Sequence, residues 1–491
     1  MLLGLDLGTS SVKALLMEEG TSAGEGSSPY PVRAPRRGWA ESSPDDWWDA
    51  VVEATEGAVG RRGAEVTALG LSGQMHGVVL ADEQGLPLRP AILWADARSG
   101  DELAAYRGLG ADLSRRLANP PAVGMAGPSL LWLRDHEPDA YTSARWALQP
   151  KDWLRMRLTG EVAAEPSDAS ATLLYDLYTD DWSHAAVEHL GLRAELLAPL
   201  VASDDIAGTL RREMADELGL RGGLPVATGA ADTAAAMLGA GLLRPGPVQL
   251  TVGTGGQIVT LREEPEADSH LRTHLYRAAV PWLWYSMAAV QNAGLALEWV
   301  RKVLGVSWEE VYTEAFAVAP GSGGVAFLPY LSGERTPRFD PGAHGAWTGL
   351  DLDHTRGHLL RAALEGVAFA LREGLDALED LGIDVPELRL AGGGASGKAG
   401  DPWRQLLADV LGRPLRLLPE EISSVASARG AALLAGLASG VYAAAGDTLR
   451  LTPEPEETVT PGETVEDYGA AYERYRELYP RLRGPLPEVR P

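Results

Sequence analysis

The sequence predicts a duplicated α/β fold that grips one polyphosphate from both sides, and three observations carry that expectation. Near the start, Leu5-Asp6-Leu7-Gly8-Thr9-Ser10 closes an apolar run that begins at Met1. Near the midpoint, Leu250-Thr251-Val252-Gly253-Thr254-Gly255-Gly256 follows Pro247-Val248-Gln249 in the same order. Each reads as a β-strand entering a tight Gly-Thr turn, where glycine lets the backbone come close and N–H groups and a hydroxyl can face an anion. The third observation is length: 491 residues suffice for two large domains, one around each turn.

Composition narrows the partners. With 45% hydrophobic and 23% charged residues, the chain can fill a sizeable core. Its net charge of −25 argues against nucleic acid, whose phosphate backbone demands clusters of Lys and Arg. A single nucleotide stays open, because backbone N–H groups and Mg²⁺ can hold one in an acidic protein. The absence of cysteine excludes disulfides, thiolate metal sites and a Cys nucleophile. Asp6 interrupts the opening apolar run, so no signal peptide is expected. The Ala/Gly-rich stretch 430–445 is too short to span a bilayer and reads as a buried helix. The expected setting is cytoplasmic with no membrane partner; the sequence sets no oligomeric state, and a homodimer is compatible with it.

The elements follow in order. After the Gly8 turn, residues 11–17 are apolar on both faces, as in a buried strand. Residues 20–28 read as a polar hairpin tip. Ser43 offers an N-cap, Pro44 the first helical position and Asp46 a capping-box partner for a helix to about Val59. Residues 66–71 form a strand that ends at Ser72-Gly73-Gln74-Met75-His76-Gly77, and 78–81 another before the Asp82-Glu83-Gln84-Gly85 turn. Residues 100–220 are mostly helical pieces broken by Gly and Pro. The second half, from about Leu242, repeats strand, Gly-Thr turn and strand (257–261); 285–303 and 356–381 carry helical patterns, and 387–390 is a strand entering Ala391-Gly392-Gly393-Gly394-Ala395. From about Thr452 the chain is rich in Pro and Glu before a terminal amphipathic helix, and is expected to be a peripheral appendage.

Each candidate residue has a plain alternative. Asp6 could be an Asx-type turn former, but beside paired phosphate turns it suits Mg²⁺ better. Gly392, Gly397 and Lys398 satisfy Walker A spacing, yet Ala399 stands where a Mg²⁺-binding hydroxyl belongs, so a P-loop NTPase is not expected. Asp232 lies among small apolar residues, where a carboxylate is costly unless paired or functional, and it could equally cap the following helix. A lone His such as His76 is more often a satisfied structural residue, but it sits on a strand-end loop beside Gly73 and Gly77, where a small ligand could approach. His344, His354 and His358 lack a converging carboxylate at zinc spacing and are not read as a metal site. Trp94, Asp96 and Arg98 suit a sugar platform or a surface salt bridge about equally.

These segments resemble the FGGY carbohydrate kinases of the actin/hexokinase superfamily, and within them the bacterial xylulokinases. The carrying residues are Gly4-Leu5-Asp6-Leu7-Gly8-Thr9-Ser10, Gly73-Gln74-Met75-His76-Gly77, Pro90-Ala91-Ile92-Leu93-Trp94-Ala95-Asp96-Ala97-Arg98 and Gln149-Pro150-Lys151-Asp152-Trp153-Leu154 in the first half. The second half adds Gly253-Thr254-Gly255-Gly256, Phe327 to Pro337 and Gly392-Gly393-Gly394-Ala395. The resemblance implies two actin-like ATPase (ribonuclease H-like) α/β domains, 1–242 and 243–491, around an interdomain cleft. It also implies ATP and Mg²⁺ as cofactors and a small sugar, most closely D-xylulose, as substrate. On the same grounds Asp232 is the catalytic base, Asp6 the acid that organises Mg²⁺, and Met75 and His76 the sugar contacts. Gly8, Thr9, Gly253, Thr254 and Gly255 are the phosphate loops, and Gly393 and Gly394 the adenosine loop. Two departures stand out. Thr233 replaces the amide that usually follows the base, which leaves ribulose, a hexulose or a polyol open as the sugar. The loop 395–403 is longer than the family pattern. A non-enzymatic ATP switch on the same scaffold is the remote alternative.

Overall fold

The opening strand Leu2–Leu7 is buried almost throughout and hydrogen-bonds on both sides, antiparallel to Ser11–Glu18 and parallel to Ala68–Gly73. In the computed structural model, which describes residues 1–392, 401–452, 455 and 457–483, it lies inside a sheet ordered Ile206–Thr209, Pro225–Ala227, Ala68–Gly73, Leu2–Leu7, Ser11–Glu18, Thr21–Pro29. The second half repeats the plan around Val248–Val252. That strand pairs antiparallel with Gly256–Arg262 and parallel with Leu388–Ala391, and the sheet extends through Trp284–Val290 and His274–Arg277 on one side and Leu415–Leu417 and Glu457–Val459 on the other. Each half thus places a central strand, its Gly-Thr turn and a parallel neighbour in the same relation, as the duplicated turns predict.

The register positions the site. Asp6 is paired with Ser72 across the parallel ladder, and the short strand Ala230–Ala231 runs parallel beside Ser72 and Gly73. The carboxyl ends of three neighbouring strands therefore deliver Asp6, the 72–77 loop and Asp232 to one edge of one sheet, where open α/β sheets bind ligands.

A helix from the second half, Ala426–Ala438, packs across the first sheet and against the helix Asp232–Gly239. Glycines make this approach backbone-to-backbone. A Cβ at Gly430 would fall on the Ala235 carbonyl oxygen, one at Gly239 on that of Ala426, and one at Gly4 on that of Ala428. Gly430→Val is therefore expected to destabilise the fold by about 1–3 kcal/mol, the usual cost of overpacking. Gly446→Val, where nothing lies within 4 Å of a Cβ, serves as control. Thermal denaturation reads both; equal melting temperatures would refute the close approach.

Four local expectations change. Residues 20–28 are not a hairpin tip but most of the edge strand Thr21–Pro29, with the turn confined to Glu19 and Gly20. Its small residues look loop-like because Gly24 and Gly26 face the backbone of the helix Pro44–Val59 at Ala58 and Ala54, where no side chain fits. Stretch 285–303 divides into the strand Trp284–Val290 and the helix Gly294–Leu304. The strand is paired on both edges and nearly all buried, so its apolar run shows no alternation that would betray it. Ser43 caps the first helix through the Asp45 N–H at 3.3 Å, while Asp46 pairs with Arg33 instead of closing a capping box. The tail is not peripheral: Glu457–Val459 extends the second sheet, and Tyr468, Tyr472 and Tyr475 are buried around Phe369.

Candidate active site

Both Gly-Thr turns are built alike. The Gly8 N–H donates to Ser11 O at 3.1 Å and the Gly253 N–H to Gly255 O at 2.9 Å, so each first glycine shapes its turn with its own amide. Among the described residues the N–H groups of Thr9, Ser10, Thr254 and Gly255 carry no internal hydrogen bond, which leaves two open donors per turn. Around the first turn, Gly8 O accepts from Gln74 Nε2 at 3.3 Å and from the Tyr30 hydroxyl, and Thr9 Oγ1 accepts from Trp94 Nε1 at 2.8 Å. Around the second, Gly253 O and Thr254 O accept from the amides of residues 293–295 at 2.9–3.1 Å, which ties it to the start of the helix Gly294–Leu304.

Two carboxylates share the space below the first turn. Asp6 accepts from Ser72 Oγ at 2.6 Å on one oxygen only; burial raises its pKa, opposed by Ser72 and by the Lys13 charge. Asp232 is the first residue of its helix, after Ala231 at the N-cap, and its Oδ1 accepts from the Thr233 N–H at 2.6 Å and Thr233 Oγ1 at 3.2 Å. Its carboxyl is pushed up to about 7, first by burial and then by the charge of Asp6, with the Thr233 bonds opposing. A carboxylate poised near neutrality is matched to taking a proton from an alcohol. Among the described residues, each acid keeps one oxygen free of any hydrogen-bond partner. Two hard oxygen donors of like charge suit Mg²⁺, which is commonly held by one or two carboxylates with substrate phosphates and water completing the shell; no group of three or more protein ligands gathers among the described residues.

His76 stands at the other end of this edge. Its backbone is left-handed (φ 70°), and its Nδ1 lies 2.8 Å from Ala171 O, so Nδ1 carries the proton and Nε2 is left as an acceptor. Burial, then the Arg335 charge, push its pKa down to about 4, so the ring is neutral at physiological pH. Met75 is buried, with its sulfur 3.9 Å from the Tyr285 hydroxyl.

A buried charge cage holds the segment that ends in Asp232. Lys151 Nζ reaches Asp152 at 2.7 Å and Glu165 and Asp168 at 3.1 Å, all at most 1% exposed. Burial alone would lower the Lys151 pKa, but the three carboxylates outweigh it and raise it. Arg155 joins Asp152 at 2.9 Å and Thr228 O at 2.7 Å. Ser167 Oγ donates to Glu165 Oε1 at 2.8 Å and accepts from the Ala231 N–H at 2.9 Å, one residue before Asp232.

The profile of the "FGGY family of carbohydrate kinases, N-terminal domain" matches residues 1–239, and that of the C-terminal domain matches 248–439. The chain belongs to the FGGY family of carbohydrate kinases. Among relatives of this kinase, the xylulose kinase of Escherichia coli K12 is 35% identical over 486 residues, 98% of this chain and 99% of that protein. The xylulose kinase of Bacillus subtilis is 32% identical, covering 97% and 96%. A crystal structure described as a "xyloylose kinase" from Brucella ovis matches with TM-score 0.89 and 35% identity, over 98% of this chain and 99% of that one. The kinase thus has the two-domain, actin-like ATPase fold of ATP-dependent sugar kinases.

The kinase brings Asp6, Gly8, Thr9 and Asp232 to one edge with Met75 and His76 beside them, and presents Gly253, Thr254 and Gly255 from the second sheet. Gly393, Gly394 and loop residues 395–400 lie outside the described residues. Gly392 closes the strand with φ 97°, in contact with the Val252 backbone. Asp96 and Arg98 are neither platform nor surface pair: Arg98 is buried against Asp96 and Glu41, both at 2.7 Å, and stacks on Trp39. Trp94 alone of that trio faces the site. His354 and His358 bond to backbone at the start of the helix Arg356–Glu379. Sequence reasoning missed Tyr276, His274 and Arg335, which gather around His76; only the run Gly333-Glu334-Arg335-Thr336-Pro337 carried a signal, as a family match without a role. Among the described residues, no helix is long and apolar enough to cross a membrane.

Proposed function

We propose that this kinase transfers the γ-phosphoryl group of ATP to the terminal hydroxyl of a ketopentose, D-xylulose, giving D-xylulose 5-phosphate and ADP. The observation that carries the chemistry is the Asp232 carboxyl, held near neutrality beside Asp6 and below a turn with open N–H donors. The hydroxyl oxygen bonds to the γ-phosphorus as the bond to the β–γ bridging oxygen breaks, and Asp232 takes the hydroxyl proton. The open N–H groups of Thr9, Ser10, Thr254 and Gly255 donate to the phosphoryl oxygens where charge develops. Asp6 would hold Mg²⁺, which supplies charge neutralisation at the phosphates. The chain divides at 242/243 on this reading, with the sugar against the first half, ATP between the halves and the 393–394 glycines against adenosine. Met75 and the neutral His76 contact the sugar.

The names of the relatives favour D-xylulose. Thr233 favours a second reading, the same chemistry on ribulose, a hexulose or a sugar alcohol, because its one hydroxyl donates to Asp232 Oδ1 at 3.2 Å. ADP release measured across pentuloses, hexuloses and polyols decides: D-xylulose is expected to give the highest kcat/KM, and a higher value for any other sugar would replace it.

A further inference from the structure

The guanidinium of Arg335 brings a positive charge to the His76 end of the site. The guanidinium forms no hydrogen bond or ion pair among the described residues, and its Cζ lies 5.4 Å from the centroid of the Trp94 ring. Its charge acts on the His76 and His274 rings. The neighbouring acid attracts it but, among the described residues, forms no ion pair with it: Glu334 is turned to the backbone, accepting from Gln291 N and Arg335 N at 2.7 Å each, and burial pushes its carboxyl up to about 8. The loop is fixed on both sides of Arg335. Asn292 Nδ2 donates to Gly333 O at 2.7 Å, and Thr336 exchanges two bonds with Ala289, its N–H donating at 2.9 Å and its Oγ1 accepting at 3.0 Å. A half-buried guanidinium has five donors, and with none of them taken among the described residues they are available to an acceptor on a bound ligand. Trp94, the surface it lies over, is hydrogen-bonded to Thr9 of the first phosphate turn.

We infer that Arg335 is a sugar-contacting specificity residue contributed by the second half of the chain, its guanidinium donating to the carbonyl oxygen of a ketose whose opposite, terminal hydroxyl faces Asp232. This rests on the reading of the site as a ketose kinase and adds which end of the sugar is recognised and by which residue. A guanidinium only donates, so it favours an oxygen that accepts in its plane and has no proton of its own to place. The matching alditol carries a hydroxyl there, whose proton needs a further acceptor beside a cation. The sugar site is then complete only when both halves of the chain contribute.

The test uses the full-length enzyme with Mg²⁺-ATP and whichever ketose the wild type phosphorylates best. It measures KM for that ketose, Ki of its alditol as a competitive inhibitor, and KM for ATP in wild type, Arg335→Gln and Arg335→Lys. Loss of one charge-assisted hydrogen bond predicts a rise in ketose KM of about 10–100-fold in Arg335→Gln. The alditol Ki is expected to change by less than about a third of that factor, KM for ATP to stay put, and Arg335→Lys to recover part of the loss. Equal losses for ketose, alditol and ATP would reduce Arg335 to a structural role, and an unchanged ketose KM would overturn the contact. Should the preferred ketose not be D-xylulose, the choice of sugar fails while the Arg335 comparison still reads on the sugar that is used.

Discussion

Asp232→Asn is expected to lower kcat by about 10²–10⁴-fold, the usual contribution of a positioned general base, while ATP binding is retained. The pH dependence separates this from a packing defect. Because Asp232 must be ionised to accept the proton and its carboxyl is held up to about 7, wild-type activity should rise through about pH 7 and level above it. His76, held down to about 4, adds no inflection between pH 5 and 8. The stability effect has the opposite sign. A folded-state pKa raised above the ordinary 3.8 means that the stability tied to the protonated form is fully present below about pH 4 and lost as pH rises through about 7. Asn cannot ionise, so the variant should melt above wild type at pH 8 and alongside it at pH 4. A variant that is inactive and also less stable at pH 8 would mean that Asp232 is a structural residue.

Lys151→Met is expected to cost about 3–5 kcal/mol, the effect of removing one partner from a buried ion pair. Among the described residues, Asp152, Glu165 and Asp168 would be left at most 1% exposed with only Asp152 still paired, to Arg155. Chemical denaturation checks the size, and the deficit should shrink as pH falls and the stranded carboxylates take up protons. Should Lys151→Met fail to fold, Ser167→Ala isolates the link to the base. It removes the 2.9 Å acceptor of the Ala231 N–H and is expected to cost about 1–3 kcal/mol for the unpaired buried group, with a fall in kcat. Unchanged kcat in a folded Ser167→Ala enzyme would show that the cage serves stability alone.

Much of the fold was legible because its signals are local. The two Gly-Thr turns depend on glycine and on an apolar strand immediately before, and both appear where the sequence puts them. The elements misread were those decided by distant partners. Thr21–Pro29 looks like a loop because helix backbone, not solvent, lies against its glycines, and Trp284–Val290 looks helical because strands on both edges bury both its faces. In the tail, Pro and Glu mask a tyrosine stripe that completes the second core around Phe369. At the site, Asp6 and Asp232 could be singled out as carboxylates in apolar surroundings. Their coupling could not, since it arises from parallel pairing of strands more than 220 residues apart in sequence (Asp6 to Asp232). Arg335 was invisible as a contact for the same reason: nothing near it in sequence says that its guanidinium crosses to Trp94.

On the proposed function the sugar lies with its terminal hydroxyl at Asp232 and its carbonyl end at His76 and Arg335. Identifying the phosphorylated carbon by carbon–phosphorus coupling in the NMR spectrum of the product formed from D-xylulose and Mg²⁺-ATP tests this most directly. Phosphate is expected on C5, with one ADP released per product. Phosphate on C1, or ADP released without a sugar phosphate, would contradict the proposed function.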